Sequence, residues 1–176
     1  MELYTERLYL RPVSPSDVDC LFRIYGDPAT NRFNPAGPYP DIEYTRTVLA
    51  RWLSHWDEQG FGNVAITLRD DPLTVIGFGG LSIKTFADIT INNLGYRLAT
   101  QAWGKGLATE FARRILRYGF DDIDVSEISA VVRVNHQDSQ NVLNKAGMKC
   151  VGTLHDVDSG PPSRLFTLTQ DEWRKR

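Results

Sequence analysis

Leu98-Ala99-Thr100-Gln101-Ala102-Trp103-Gly104-Lys105-Gly106-Leu107-Ala108-Thr109-Glu110 is the stretch whose residue types and spacing could do chemistry. A strand pattern ends, two glycines flank a lysine, and an amphipathic helix pattern begins at once. The amides of Gly104 to Ala108 would be the first donors of that helix, with no partner of their own. Converging amides and the helix dipole collect an anion at such a turn. Gly106 and Ala108 keep bulky side chains away from a diphosphate, and Lys105 adds a cation. No Ser or Thr directly follows Lys105, so the magnesium-holding hydroxyl of a nucleoside-triphosphate loop is missing. The bare Gly-x-Gly pattern would equally suit a plain tight turn.

Other chemistry-bearing residues are sparse. Cys20 and Cys150 lie far apart and fit no metal spacing, so the expected metal is none and both thiols are expected free in a reducing cytoplasm. Ser139 begins a short helix pattern, a place where a serine can simply satisfy backbone amides. His136 stands three residues before it.

The elements that must position these residues follow from periodicity. Residues 9–13 have strand character. Ser14-Pro15-Ser16-Asp17 then reads as a helix start: Ser14 caps, Pro15 suits the first position and Asp17 favours the positive end. Val18, Leu21, Phe22 and Tyr25 share a helical face that Gly26-Asp27-Pro28 terminates. Residues 34–40 read as a loop. Asp41 opens a second helix whose stripe holds Ile42, Thr45, Val48, Leu49, Trp52, Leu53 and Trp56, closed by Gly60. Strands are expected at 61–68 and 74–84, around Arg69-Asp70-Asp71-Pro72, and at 88–99. An amphipathic helix spans 104–120, then a strand 127–134, a helix 138–146 ended by Gly147, and strands at 148–155 and 164–169. This order suits a mixed sheet with helices on both faces rather than a doubly wound one.

The bulk numbers exclude several classes. A chain of 176 residues with 41% hydrophobic and 24% charged residues is expected to fold as one domain, 1–176. A net charge of -2 without a basic stripe argues against nucleic acid. No apolar run reaches the length of a membrane span, and the first residues lack a signal peptide's apolar stretch.

Trp103-Gly104-Lys105-Gly106-Leu107-Ala108-Thr109-Glu110 resembles the acetyl-CoA loop of the Gcn5-related N-acetyltransferases (GNAT), where Arg or Gln is followed by x-x-Gly-x-Gly/Ala. Trp103 stands in the Arg/Gln place, a departure usual in the ribosomal-protein N-terminal acetyltransferase (RimJ/RimL-like) branch. Thr5-Glu6-Arg7-Leu8-Tyr9-Leu10-Arg11-Pro12, Leu94-Gly95-Tyr96-Arg97-Leu98 and Ser139-Gln140-Asn141-Val142-Leu143-Asn144-Lys145-Ala146-Gly147-Met148 also resemble that branch, in the expected order.

The resemblance implies the GNAT fold, an α+β, three-layer arrangement with a mixed, mostly antiparallel sheet of about seven strands, splayed between the fourth and fifth. It implies transfer of an acetyl group from acetyl-CoA to a primary amine, a protein or peptide N-terminus or a small molecule, by direct attack. Leu98 would pair its backbone with the pantetheine arm. Trp103, Gly104, Lys105, Gly106, Leu107, Ala108 and Thr109 would hold the diphosphate. Ser139 would protonate the departing thiolate. His136, in the place of a family Asn, would contact CoA, as would Asn135 and Asn141. Asn93 stands where many relatives carry a general-base Glu, and an amide cannot accept a proton at neutral pH. Tyr96 would orient the amine. No acidic wall is evident for a polycationic acceptor. The expected partners are acetyl-CoA and an amine, with the chain a monomer or homodimer. The missing Glu leaves a second reading, a non-catalytic acetyl-CoA sensor or scaffold.

Overall fold

The structure is a computed structural model that describes residues 1–157 and 160–176. Its strands and helices are β1 (Leu3–Tyr4), β2 (Leu8–Pro12), α1 (Val18–Tyr25), α2 (Ile42–Gln59), β3 (Asn63–Leu68), β4 (Asp71–Phe86), β5 (Ile89–Leu98), α3 (Leu107–Arg117), β6 (Glu127–Arg133), α4 (Gln137–Lys145), β7 (Lys149–Leu154), β8 (Ser163–Thr169) and α5 (Gln170–Lys175). The eight strands hydrogen-bond in the order β1-β2-β3-β4-β5-β6-β8-β7. The ladders β1–β2, β2–β3, β3–β4, β6–β8 and β7–β8 are antiparallel, and β5–β6 is parallel. The result is the expected mixed, mostly antiparallel α+β fold, with β1 added to the strands read from the sequence. The chain forms two compact units, Met1–Gly80 with Tyr96–Ala108, and Leu81–Gly95 with Thr109–Arg176.

In the first unit Leu8 and Leu10 of β2 are fully buried and pair with Leu68 and Ile66 of β3. The chain turns into α1 through a capping box in which the Asp17 carboxylate accepts from the Ser14 amide at 2.8 Å. Asp17 is 3% exposed and is held by both terminal nitrogens of Arg11, at 2.8 and 2.9 Å. Leu21, Ile24 and Tyr25 of α1 and Leu49 of α2 pack with Val13, Ala65, Val75, Phe78 and Ala99. Trp52 and Trp56 lie partly buried against that cluster, and Trp56 donates to the Asn63 carbonyl at 2.7 Å. Asp41 caps α2 by accepting from the Tyr44 amide, and Gly60 ends it in the left-handed conformation. The β3–β4 turn is tighter than expected: Leu68 already pairs with Asp71, so the strand takes in Asp71 and Pro72.

In the second unit β6 and β8 pair over their whole lengths, and β7 pairs with the outer side of β8. Phe111, Ala112, Ile115 and Leu116 of α3 are buried, as its amphipathic pattern requires. The helix expected over 104–120 starts only at Leu107, because Gly104 and Gly106 both have positive φ. After Arg117 it widens into a π turn, Tyr118–Ile123. A terminal helix that the periodicity did not suggest, α5, begins with a capping box between Thr169 and Glu172. Arg133 bonds Asp156 at 3.1 Å and Ser163 at 2.8 Å, tying the beginning and end of the segment between β7 and β8. Residues 158 and 159 of that segment lie outside the described residues.

Candidate functional site

The glycine loop leaves β5 at Leu98 and passes through a short 3-10 turn, Thr100–Ala102, anchored by the Ala99 amide on the Ile76 carbonyl at 2.7 Å. Gly104 and Gly106 then take φ values of 73° and 77°. Glycine visits this left-handed region freely, and other L-residues do so at a cost. A Cβ built on Gly104 would meet nothing within 4 Å, and one on Gly106 would meet only Nη2 of Arg7 at 3.5 Å. The loop is therefore an open cradle that side chains at these two positions would fill. Leu107 is buried and anchors the start of α3, whose first amides have no intrahelical acceptor. Open backbone at a helix N-terminus, with Lys105 between the glycines, fits a diphosphate.

Two contacts explain how the loop holds its shape. Nη1 of Arg7 donates to the Lys105 carbonyl at 2.8 Å. This pins the peptide between the two glycines from outside and brings a guanidinium to the cradle. Arg7 is itself held by the sheet edge, since its carbonyl accepts from the Arg69 amide at 2.9 Å. Arg7, Arg69 and Lys105, with Glu6 and Asp70, line a groove of about 370 Å³ beside the loop. The second contact is made by Trp103. Its ring is 49% exposed, and Nε1 donates to the Leu98 carbonyl at 2.9 Å. The indole thus ties the loop to the end of β5.

Gly77 supports the same end of β5 from β4. A Cβ there would stand 2.6 Å from Cδ2 of Leu98 and 2.7 Å from the Arg97 carbonyl. Only glycine permits so close an approach. A larger, shallow hollow of about 830 Å³ lies at Met1, Glu2, Tyr9 and Arg11. Its polar groups are already paired, Tyr9 with Glu2 and Arg11 with Asp17, so it offers little to a ligand.

Asn93 on β5 belongs to the second unit and is 8% exposed. Its side-chain amide has no hydrogen-bond partner among the described residues. None of their sealed side-chain polar atoms lacks a partner. The Asn93 amide therefore opens onto solvent-accessible space, where its donor and acceptor are available to a ligand. At this residue β5 pairs with β6 through Asn93 and Ser129, the single register pair of that ladder among the described residues. Neighbouring Asn92 donates instead to the Glu127 carbonyl at 3.1 Å.

The remaining sequence-derived residues follow β6. Asn135 and His136 form the turn into α4, with the His136 amide on the Arg133 carbonyl at 3.0 Å. His136 is the N-cap but makes no side-chain cap bond. Ser139, half-buried, is the third residue of α4, in its first turn. Asn141 is exposed and accepts from Gln137 at 2.9 Å. Gln140, absent from the sequence reading, is 3% exposed and donates to the carbonyls of Arg133 and Val134, which fixes the turn. The first unit thus gathers Leu98, Trp103, Gly104, Lys105, Gly106, Leu107 and Ala108, with Tyr96 on the same strand end. The second holds Asn93, Thr109, Asn135, His136, Ser139 and Asn141. Arg7 and Gly77 were missed. Gly77-Phe78-Gly79-Gly80 within a strand was a signal for the second, whereas nothing local marked Arg7.

No group of three or more His, Cys, Asp or Glu suited to a metal occurs among the described residues. None of their helices is long and apolar enough to cross a membrane.

Known proteins resemble this chain in sequence and in fold. A protein of Bacillus licheniformis named uncharacterized N-acetyltransferase p20 is 26% identical over 159 residues, covering 89% of this chain and 86% of its own. In fold the chain is similar to a GNAT-family acetyltransferase from Bacillus anthracis, with a TM-score of 0.81, 19% identity and coverage of 98% and 100%. It is also similar in fold to the ribosomal-protein-S5-alanine acetyltransferase of Vibrio fischeri, with a TM-score of 0.76, 18% identity and 98% of each chain covered. The family model for the acetyltransferase (GNAT) domain matches residues 7–149, from the arginine that pins the loop to the first residue of β7, and the chain belongs to that family of acyltransferases.

Proposed function

We propose that the protein moves the acetyl group of acetyl-CoA onto a primary amine by direct attack, as one cytoplasmic domain of the ribosomal-protein N-terminal acetyltransferase branch. The open cradle of Gly104 and Gly106, with Lys105 and Arg7 at its edge, carries this reading. The fold likeness to the Vibrio fischeri enzyme fits the branch, and the two free thiols, Cys20 and Cys150, fit a reducing compartment.

Each residue then has a task. Residues 103–109 bind the diphosphate through backbone amides and Lys105. Leu98 pairs with the pantetheine arm through its backbone. Asn135, His136 and Asn141 contact CoA. Asn93 and Tyr96 orient the amine so that its lone pair meets the thioester carbon. As the N–C bond forms the C–S bond breaks, and the Ser139 hydroxyl gives the leaving thiolate its proton. The proton released by the amine passes to water and Ser139 is reprotonated, so the products are an amide and CoA.

Amine-dependent release of free thiol from acetyl-CoA tests the reading. Ser139→Ala should lower kcat with little change in cofactor affinity. Wild-type kinetics in that variant would remove Ser139 from the reaction. Thiol release that ignores added amines would count against transfer.

A further inference from the structure

Three polar or concave features stand out: the groove beside the loop, the Arg133–Asp156 pair and the aromatic cluster under Arg97. The first borders the cradle and the second fastens a segment of chain. The third has the makings of a ligand site.

Arg97 lies near the end of β5 and is half-buried. Its guanidinium carbon sits 4.3 Å from the centre of the Tyr25 ring, a cation–π contact. Nη1 donates to Oδ1 of Asn31 at 2.8 Å. Asn31 is 5% exposed and cannot swing away, because its own amide donates to the carbonyls of Tyr25 at 2.7 Å and Asp27 at 2.8 Å. The guanidinium is thus fixed on one face by a ring and at one corner by a neutral amide. Among the described residues no carboxylate pairs with it. Two other half-buried arginines do pair with a carboxylate, Arg11 with Asp17 and Arg133 with Asp156.

A partly desolvated cation without a counter-ion is costly unless a ligand supplies one. The other N–H groups of Arg97 form the planar fork that matches a carboxylate through two parallel bonds. Its surroundings include α1 and the loop that leads into α2. Tyr39, from the loop between α1 and α2, packs on Tyr25 with ring centres 5.3 Å apart, and its amide bonds the Tyr25 carbonyl at 3.0 Å. The Arg97 charge opposes the upward push that burial gives the Tyr39 hydroxyl, so its field reaches that loop.

We propose that Arg97, held by Asn31 and Tyr25, binds a carboxylate of the acceptor, and that the acceptor is a small amine carrying that carboxylate, such as an α-amino acid. This rests on the acetyl-CoA reading above and narrows its amine. The same charge disfavours polycationic amines.

The test uses the whole chain with acetyl-CoA, thiol release as readout, and the standard α-amino acids each beside its amide. At least one acid should exceed its amide in kcat/KM by roughly ten- to a hundredfold, the worth of a charge-assisted pair. Arg97→Gln keeps a donor for Asn31 and should abolish that ratio with the KM for acetyl-CoA unchanged. Arg97→Lys should keep part of it. A purely structural role would lower acid and amide together and preserve the ratio, which would overturn the proposal. So would amides, or spermidine, outperforming every acid. If acetyl-CoA stabilises the protein but no acid is acetylated, the acceptor class is wrong and the cofactor reading stands. If acetyl-CoA does not bind, both fall.

Discussion

Arg7 Nη1 and the carbonyl oxygen of Lys105, 98 positions apart in the chain, are joined by a 2.8 Å hydrogen bond. A residue at the threshold of β2 therefore holds the peptide between two left-handed glycines, so the shape of the open loop depends on the sheet edge as well as on the loop itself. Arg7→Ala should weaken CoA binding by roughly tenfold or more, the range for a bond made by a charged group. Pantetheine, which has no diphosphate, should bind wild type and variant alike. Calorimetry with both ligands checks this, and an equal loss for both would assign Arg7 to general stability.

The glycines should respond differently. Gly106→Glu places a carboxylate in the cradle and strains a φ of 77°, and should abolish acetyl-CoA binding. Gly104→Ala meets no protein atom within 4 Å, so its cost to stability should be only the left-handed strain of about 1–2 kcal/mol. Chemical denaturation and a binding titration separate these effects. Unchanged affinity in Gly106→Glu would sink the assignment of the loop.

The pH profile should lack a limb from an enzyme base at the Asn93 position, because an amide does not titrate near neutrality. The rate should instead rise with the free-base fraction of the acceptor, since the amine must arrive neutral. Two acceptors of different amine pKa give two profiles of kcat/KM. The alkaline rise should move with the acceptor, and a limb fixed near neutral pH for both would reveal a protein base.

Alkaline stability has a separate cause. Burial holds the Tyr25 hydroxyl up to about 12, against 10.0 for a free tyrosine, despite the opposing charge of Arg97. Burial pushes Tyr39 up as well. A raised folded-state pKa gives stability that is complete below the unfolded value and disappears as pH climbs through the folded one. The loss should begin near pH 10, and at pH 11 Tyr25 alone should account for on the order of 1 kcal/mol. Its bond to the Phe78 carbonyl is long, 3.4 Å, so Tyr25→Phe should change neutral stability little. Urea melts at about pH 8 and about pH 11 should show a smaller drop in the variant.

Much of this was legible locally. Asp41 and Gly60 mark the ends of α2, and Ser14 with Asp17 marks the approach to α1, because capping depends on residues within one turn. The cradle's place between β5 and α3 was readable from its glycines. Their conformation was not, and it moves the start of the helix from Gly104 to Leu107. The Thr169-Gln170-Asp171-Glu172 box marks the start of α5 as locally as any other cap, although the six residues of that helix are too few for a helical period to show. Arg7 on Lys105, Arg97 on Asn31 and Gly77 against Leu98 join residues distant in sequence. No periodicity encodes such contacts, and only folding supplies them. The tryptophan in the Arg/Gln place found its reason the same way, in the indole bond to the Leu98 carbonyl.

The most direct test of acetyl-CoA binding is a thermal melt of the wild-type protein with acetyl-CoA, with ATP and with neither. A ligand at a hundredfold excess over its Kd adds about 2.7 kcal/mol. In a chain of this length that should raise Tm by roughly 5–10 °C. The cradle predicts such a rise with acetyl-CoA and none with ATP; no rise at saturating acetyl-CoA, or an equal rise with ATP, would contradict it.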